Sequence, residues 1–508
     1  MFKKLLSVGG WTLVSRMTGF IRDVVIAAVM GVGPVADAFF VAFRIPNHFR
    51  AIFGEGAFNN AFLPTYAQVL ETDGKARATS FASRITTLML IVQIALLVVA
   101  FFAMPIVVSL LAPGFSDDPA KFDLAVTLTR ITFPYLLLIT IVTIYSGILN
   151  AHDRFAAAAA APVLLNVSMI VALAAVFLFP NAGYAAAWGV TAAGIFELLL
   201  VWTSARRIDV SPGLEKPRID IAMMRFFKAL GPAVIGSAGV QLAIFADTII
   251  ASFLPTGAVS SLYYADRLYQ LPLGVIGIAA GTVLLPEMSR RIAAGDEAGA
   301  YAAQNRTVGL TLALAAPFLV AFLVMPDLIM SALFQRGAFD AEAAQRAGAV
   351  LAAYGLGLPA AVLIRSAVSS FYARSDTTTP LIASLTAVAV NVLVKILLMD
   401  AYGVVGLALG TAIGVWTNLI LLFMLAYRRG WTAPNRSLAK TFLAIAAASV
   451  LLAAFAWFAP APLDRWTALL PLWRNETLLG ALGLIGALIY GGILLAGMKV
   501  MGVRLARR

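Results

Sequence analysis

A set of charged side chains lies within two long apolar stretches at the start of the sequence. The set comprises Arg16, Arg22, Asp23, Asp37, Arg44, Arg50 and Glu55. Charged groups at membrane depth are costly and rarely face lipid, so they pair with each other or line a wet cavity. Arginine keeps its proton and binds phosphate through a planar fork of N–H donors. The excess of arginine therefore predicts a cavity that binds a phosphate-bearing substrate.

A similar pattern recurs later in the chain. The aromatic pair 39–40 precedes Arg44, and the pair 263–264 precedes Arg267, which has Asp266 beside it. Leu-Pro closes both segments, at 63–64 and at 285–286. Parallel repeats in transporters are related by an axis along the membrane normal and bind substrate between the halves near mid-membrane. Arg267 is therefore predicted to face the same cavity from the second half.

Structural ion pairs are the alternative explanation for individual charges. Arg16 and Asp23 are seven residues apart and therefore share one helix face, as do Asp37 and Arg44. For the whole set, Arg16, Arg22, Arg50 and Arg267 outnumber the acids nearest to them. The anion-binding interpretation is therefore favoured for the set.

The composition places the chain among polytopic membrane proteins. Its 508 residues are 61% hydrophobic and 12% charged, with a mean hydropathy of +0.92. Soluble domains have about 45–50% apolar and about 25% charged residues. The sequence has no cysteine and two histidines, which excludes thiolate and histidine-rich metal centres. We therefore expect no metal site and no cofactor.

On the template of about 20 apolar residues per crossing, the sequence predicts about fourteen transmembrane helices. The spans lie near 5–30, 35–63, 82–111, 125–150, 158–179, 184–205, 224–253, 258–286, 307–333, 346–372, 379–399, 404–427, 438–459 and 477–500. The predicted fold is thus all-α, with two six-helix lobes related by a pseudo-two-fold repeat. Residues 1–205 and 224–427 form the lobes, 206–223 a cytoplasmic linker, and 428–508 two extra C-terminal helices with a cytoplasmic tail.

Loop charges predict the orientation. With this span count, 24 Lys and Arg lie on the N-terminal side, six on the opposite side and seven within spans, together the 37 present. Cytoplasmic loops are rich in Lys and Arg, so both termini are predicted to be cytoplasmic. The same distribution explains most of the net charge of +12, and we expect no nucleic-acid partner. The first apolar run continues through Arg16 and Arg22, so we expect a membrane helix there rather than a cleaved leader.

Two further groups of residues have alternative interpretations. Pro46 and Asn47 lie in the second predicted span. A proline there allows the helix to bend beside the cavity, which would suit a gate. Ordinary packing between transmembrane helices explains the two residues equally well. In the second half, Asp247 either binds a coupling cation or forms an ion pair with Lys395, which lies one helical turn after Asn391. The ion pair is favoured.

Enzymatic motifs such as HExxH, a nucleophile elbow or a P-loop are absent from the sequence, so no enzymatic activity is expected.

Nine short motifs together carry a family resemblance. They are SRMTGFIRD (15–23), DAFFVAFRIPN (37–47), IFGEGAFNNAFLP (52–64), APGF (112–115), LNAHDRF (149–155), PVLLN (162–166), YYADRL (263–268), LPEMS (285–289) and YARSDTTTP (372–380). In this order they resemble the MurJ/MviN family of lipid II flippases, within the superfamily that includes the MATE and polysaccharide exporters. The last two predicted spans, 438–459 and 477–500, match the family only in their position and apolar character.

The resemblance implies export of lipid II, the undecaprenyl-diphosphate-linked peptidoglycan precursor, to the outer leaflet of the bacterial inner membrane by alternating access. The substrate-binding residues that it implies are Ser15, Arg16, Arg22, Arg50 and Arg267. Asp23, Asp37 and Glu55 match acids of the family, and a groove for the lipid tail is expected along spans 13 and 14.

The resemblance also raises the question of an ion. Some relatives hold sodium in the C-terminal half, where Asp247, Asn391 and Thr411 of this chain would supply ligands. Lys395 stands where a second acid would be needed, which argues against sodium coupling. We expect a monomer in contact with membrane lipids, with cell-wall synthesis proteins as candidate partners.

Rival functions make different predictions. A MATE-like drug or cation antiporter would have an acid-dominated cavity, and the arginine excess argues against it. Another exporter of polyprenyl-linked oligosaccharides would share the diphosphate chemistry. A non-transport scaffold for cell-wall synthesis, interacting through residues 206–223, would tolerate loss of the cavity charges.

Overall fold

The architecture is helical throughout the part of the chain that is described. The structure is a computed structural model that describes residues 2–49, 57–467 and 473–502. Within these ranges it has no strand, and ten helical runs, some of them made of two consecutive helices, are long and apolar enough to cross a membrane. The all-α membrane fold is therefore confirmed, and the number of fourteen spans stays a prediction.

Contacts between helices divide the chain into two compact units, Met1–Ser260 with Arg336–Phe339 and Ser261–Gln335 with Asp340–Arg508. The helices of the first unit are α1 (Phe2–Met30), α2 (Pro34–Phe49), α3 (Ala57–Leu111), α4 (Pro119–Thr132), α5 (Pro134–Ala151), α6 (Phe155–Ala174), α7 (Ala182–Arg206) and α8 (Ile221–Ser252). Helix α9 (Ala258–Pro272) begins in the first unit and continues in the second. The second unit adds α10 (Ile278–Ala293), α11 (Glu297–Val324), α12 (Pro326–Phe334), α13 (Ala341–Tyr372), α14 (Thr378–Arg428), α15 (Arg436–Phe458), α16 (Pro460–Thr467) and α17 (Arg474–Val500). The lobe boundaries predicted from the repeat stay a prediction.

Glycines with a left-handed backbone produce two predicted breaks. Gly31 has a φ of 65° and separates α1 from α2, whose first residue is Pro34. Gly257 has a φ of 97° and directly precedes α9. Positive φ is readily adopted by glycine, and proline suits the first helical position. A glycine with positive φ therefore precedes a helix at corresponding points of the predicted repeat.

Prolines within the apolar spans are predicted to allow kinks, and two of them interrupt a helix. Pro134 separates α4 from α5, and Pro272 ends α9 before a π-helical turn, Leu273–Gly277, and α10. Proline lacks the N–H that the helix ladder needs, and its ring clashes with the carbonyl four residues earlier. The predicted spans 125–150 and 258–286 are thus each one helical run that is interrupted at its proline.

One predicted connection is helical instead. Helix α3 continues through the polar segment 64–81, and within it only Gly74 leaves helical geometry, with φ 82° and ψ 174°. The segment is rich in good helix formers, and outside lipid its polarity does not oppose a helix. In α14 a single residue, Gly403 (φ 53°, ψ −132°), separates the two predicted spans 379–399 and 404–427.

The extra C-terminal helices pack against α11 in the second unit. Ala448 and Leu452 of α15 lie in one buried cluster with Tyr490 of α17 and Ala316 of α11. The Tyr490 hydroxyl donates a hydrogen bond to the Ala313 carbonyl oxygen at 2.8 Å. Because a buried tyrosine hydroxyl needs such a partner, this bond fixes α17 on α11.

Candidate functional site

The Arg22 guanidinium is held at both ends by side chains of the first unit. Its Nε and Nη2 donate to Asp23 Oδ1 at 3.1 and 2.7 Å, and its Nη1 donates to Asn166 Oδ1 at 3.0 Å. Arg22 is 6% exposed and Asp23 is 3% exposed. Burial of a charge is tolerated when it is paired and hydrogen-bonded. The predicted intramembrane charges therefore include one closely paired arginine in a defined orientation.

Asn166 also joins the first helix to this site. Its Nδ2 donates to the Ser15 carbonyl oxygen at 3.0 Å and to Thr18 Oγ1 at 3.2 Å. Ser15, predicted to bind substrate, thus contributes its backbone carbonyl to this network. Arg16 on the same helix is exposed. Asn166 is the last residue of the PVLLN motif, for which the sequence predicts no role, and no local spacing signal connects it with Arg22.

The second helix has only part of its predicted site within the described residues. Pro46 is buried inside α2, and Asn47 and Arg44 are half-buried. Arg50 and Glu55 lie outside the described residues. The gate and the third arginine of the N-terminal half therefore stay predictions.

Asp37 is engaged in backbone contacts in the first unit. Its Oδ2 accepts the Gly257 N–H at 2.7 Å, and its Oδ1 accepts the Ser260 N–H and hydroxyl at 2.9 and 2.8 Å. Asp37 is 1% exposed. The first N–H groups of a helix lack partners within it, so Asp37 caps the start of α9 from another helix.

Arg267 has its own support in the second unit. Its Nη2 donates to the Tyr263 hydroxyl at 3.1 Å, and its guanidinium carbon lies 4.6 Å from the centroid of the Tyr263 ring. The neighbouring Asp266 accepts a hydrogen bond from Gln270 Nε2. A ring face and a hydroxyl from one residue thus orient the guanidinium.

The residues of the predicted ion site in the second unit lie on the two halves of α14. Lys395 is 1% exposed, and a Cβ added to Gly410 would lie 2.5 Å from its Cγ. The Asn391 Oδ1 is buried and accepts no hydrogen bond from any described residue. Thr411 Oγ1 donates to the Leu407 carbonyl oxygen of its own helix at 3.3 Å.

Asp247 is half-buried on α8, in the first unit, and its pairing with Lys395 stays a prediction. Within residues 2–49, 57–467 and 473–502, no group of three or more His, Asp or Glu side chains could hold a metal ion.

Comparisons with known proteins agree on one family. A family model described as lipid II flippase MurJ matches residues 26–473. A probable lipid II flippase MurJ of Rhizobium meliloti (strain 1021) is 43% identical over 460 residues, which cover 89% of this chain and 86% of the relative. A solved structure of lipid II flippase MurJ in an inward closed conformation matches with a TM-score of 0.79 and 25% identity, over 97% of this chain and 99% of that chain.

A more distant likeness concerns the fold alone. A multidrug resistance MATE family transporter of the MOP superfamily, in an inward-facing conformation, matches with a TM-score of 0.68 at 14% identity. The match covers 82% of this chain and 94% of that one. The helical architecture of this chain therefore resembles that of this transporter.

Proposed function

The chain belongs to the family of the lipid II flippase MurJ, and from this premise we propose how it binds and moves its substrate. As a member of that family it is a lipid II flippase, a transporter rather than an enzyme, and a multi-pass protein of the inner membrane. Its substrate is lipid II, and it lies among membrane lipids. The proposal is that the diphosphate of lipid II docks on Arg16, Arg22, Arg50 and Arg267.

The observation that supports this proposal is the double anchoring of Arg22. Asp23 and Asn166 contact opposite ends of its guanidinium, at 2.7 and 3.0 Å, so its plane is set before any ligand arrives. A preorganised group loses less conformational entropy on binding. Because Asp23 neutralises much of the charge on Arg22, the other three arginines supply the excess positive charge that a diphosphate requires.

Alternating access follows from this charge excess. Docking of the diphosphate neutralises the arginines and so removes the repulsion that opposes closure of the cavity. After release outside, the membrane potential favours the return of uncompensated positive charge, by about 2.3 kcal/mol per charge per 100 mV. Loss of substrate thereby resets the transporter.

The loop charges support a topology for the chain, and the oligomeric state and partners are proposed beside it. The excess of Lys and Arg on the side of the N-terminus supports cytoplasmic termini. We propose a monomer that needs no cofactor, with cell-wall synthesis proteins as candidate partners. We propose transport without sodium, and the burial of Lys395 supports this proposal because its ammonium would take the place of a coupling cation.

Translocation assays on arginine variants test the proposal. Each of the four arginines is changed to Ala and to Lys, and lipid II is measured in the outer leaflet after depletion of the native protein. We expect the Ala variants to lose most transport, and Lys to restore it incompletely because it lacks the bidentate fork. Arg346→Ala, at an exposed arginine paired with Glu342 on its own helix, is the matched control and should transport normally.

Two outcomes would contradict the proposal. Normal translocation in all four Ala variants would show that the arginines do not bind the diphosphate. Drug efflux without lipid II transport would instead support the antiporter alternative.

A further inference from the structure

Every polar atom of the Asn166 amide has a partner. The side chain is buried on α6, with 5% of its surface exposed. Its Oδ1 accepts from Arg22 Nη1, and its two N–H groups match the Ser15 carbonyl oxygen and Thr18 Oγ1. Only one orientation of the amide satisfies this set, because a guanidinium needs an acceptor and a carbonyl needs a donor. The network therefore defines which atom faces Arg22.

The contacts of Asn166 follow one face of α1. Residues 15, 18 and 22 are spaced by three and four positions, so they lie above one another on a helix. Gly19 stands between them, and a Cβ at this position would lie 3.5 Å from Asn166 Nδ2. The absence of a larger side chain at Gly19 thus leaves room for the amide to reach Arg22.

The two anchors of Arg22 act on different ends of its guanidinium. Asp23 uses a single oxygen, Oδ1, to accept from Nε and Nη2 along one edge. The Nη1 end points to Asn166. Contact along one edge leaves the plane free to tilt, whereas a second contact at the opposite end fixes it. Asn166 is therefore the residue that sets the orientation of the plane.

The chemistry of an amide suits this position better than that of an acid. A hydrogen bond to a charged donor is strong even when the acceptor is neutral. An amide oxygen therefore holds the guanidinium without reducing its charge, whereas a second carboxylate would cancel the attraction for a phosphate. Of these two contacts of Arg22, only the one with Asp23 compensates its charge, and the one with Asn166 serves its orientation.

From this geometry we infer that Asn166 is a positioning residue that orients Arg22 for the diphosphate of lipid II. The inference rests on the proposed function, in which Arg22 binds the diphosphate. A purely structural role, joining α6 to α1 through Ser15 and Thr18, is the competing explanation. The two explanations differ in whether the effect of Asn166 on binding requires Arg22.

A double-mutant cycle on the full-length protein separates them. Lipid II affinity is measured directly on purified protein for the wild type, Asn166→Leu, Arg22→Ala and the double variant. We expect Asn166→Leu to weaken affinity by about tenfold, the size of one hydrogen bond to a charged group. In the Arg22→Ala background, the same change should alter affinity by less than about twofold.

Two further variants control for folding. Thr18→Val removes one contact of Asn166 with α1 and leaves the Arg22 contact, so its affinity should stay within about twofold of the wild type. Should Asn166→Leu fail to fold, Asn166→Ala, which also removes the acceptor for Arg22, takes its place in the cycle.

The outcomes of the cycle distinguish failure of the positioning role from failure of the proposed function. An effect of Asn166→Leu that persists in full without Arg22, or an equal effect of Thr18→Val, overturns the positioning role alone. Unchanged affinity of Asn166→Leu in the wild-type background overturns it as well. Unchanged affinity in Arg22→Ala overturns both the positioning role and the proposed use of Arg22.

Discussion

Asp37 and Ser260, 223 positions apart in the chain, are joined by two hydrogen bonds to one carboxylate oxygen. The Ser260 N–H and hydroxyl lie 2.9 and 2.8 Å from Asp37 Oδ1, and both residues are almost fully buried. Gly257 donates to the second oxygen. The site prediction treated Asp37 as a cavity charge or part of a gate. The contacts add a definite structural role, the capping of α9 by α2.

Replacement of Asp37 should therefore destabilise the protein. Asp37→Ala leaves two buried N–H groups without their acceptor and removes one of the two acceptors of the Ser260 hydroxyl, and we expect a loss of about 3 kcal/mol of unfolding free energy. Thermal unfolding in detergent measures the change. Ser260→Ala, which removes the hydroxyl with its contacts to Asp37 and Gly257 and leaves both N–H bonds, should cost about 1 kcal/mol. Equal melting temperatures for Asp37→Ala and the wild type would contradict the capping role.

The turn at Gly31 should tolerate no side chain. Gly31 has a φ of 65°, and an added Cβ would lie 2.3 Å from the Ala338 carbonyl oxygen. The backbone there cannot easily move, because Ala338 N–H donates to the Ala28 carbonyl oxygen at 2.7 Å. We expect Gly31→Ala to lose about 2–4 kcal/mol of stability.

Gly33 provides the matched control for this turn. It lies two residues later, has no atom within 4 Å of an added Cβ and has no positive φ. Gly33→Ala should therefore change stability by less than about 0.5 kcal/mol. Similar unfolding midpoints for the two variants would show that the close approach at Gly31 is unimportant.

A methyl group at Gly410 should disturb the packing of the two halves of α14. An added Cβ would lie 2.5 Å from Lys395 Cγ and 3.1 Å from the Lys395 backbone nitrogen. We expect Gly410→Ala to destabilise the protein by about 1–3 kcal/mol through overpacking. Gly480→Ala, where α17 has open space, should be neutral or slightly stabilising because alanine favours helix. A melting temperature of Gly410→Ala equal to that of Gly480→Ala would contradict this close contact.

Asp376 should contribute stability that disappears in acid. The Thr379 N–H and hydroxyl donate to its carboxylate at 2.9 and 2.7 Å, and Arg429 Nη1 lies 2.6 Å away. These donors lower the pKa of Asp376 below its ordinary value of 3.8. The contribution is therefore complete above pH 3.8 and declines as the pH falls through the lower pKa of the folded state.

Unfolding midpoints between about pH 3 and pH 6 test this expectation. Asp376→Asn should lower the midpoint at the upper end of the range and show a flatter decline towards acid. Asp400→Asn, at an exposed position of α14, should follow the wild type. Parallel curves for Asp376→Asn and the wild type would refute the contribution.

Several features of the fold could be predicted because they depend on local chemistry. The apolar composition implies membrane helices, and the breaks at Gly31 and Gly257 follow from backbone freedom at glycine. Other features of the fold depend on whether helix propensity, polarity or a proline decides the backbone at a given segment. The helical course of segment 64–81 shows that a polar stretch continues a helix when its residues favour one. The broken helices at Pro134 and Pro272 show that proline can end a helix within an otherwise continuous apolar span.

The sequence by itself determined the class of the protein and its family, because composition and motifs decide these, and it predicts the arginines that suit a diphosphate. The tertiary structure alone decided which partners orient them. Asn166 lies 144 positions from Arg22, and Ser260 lies 223 from Asp37. Helical periodicity relates residues within one helix only, whereas a hydrogen bond at such separation depends on how α6 packs on α1 and where α9 begins.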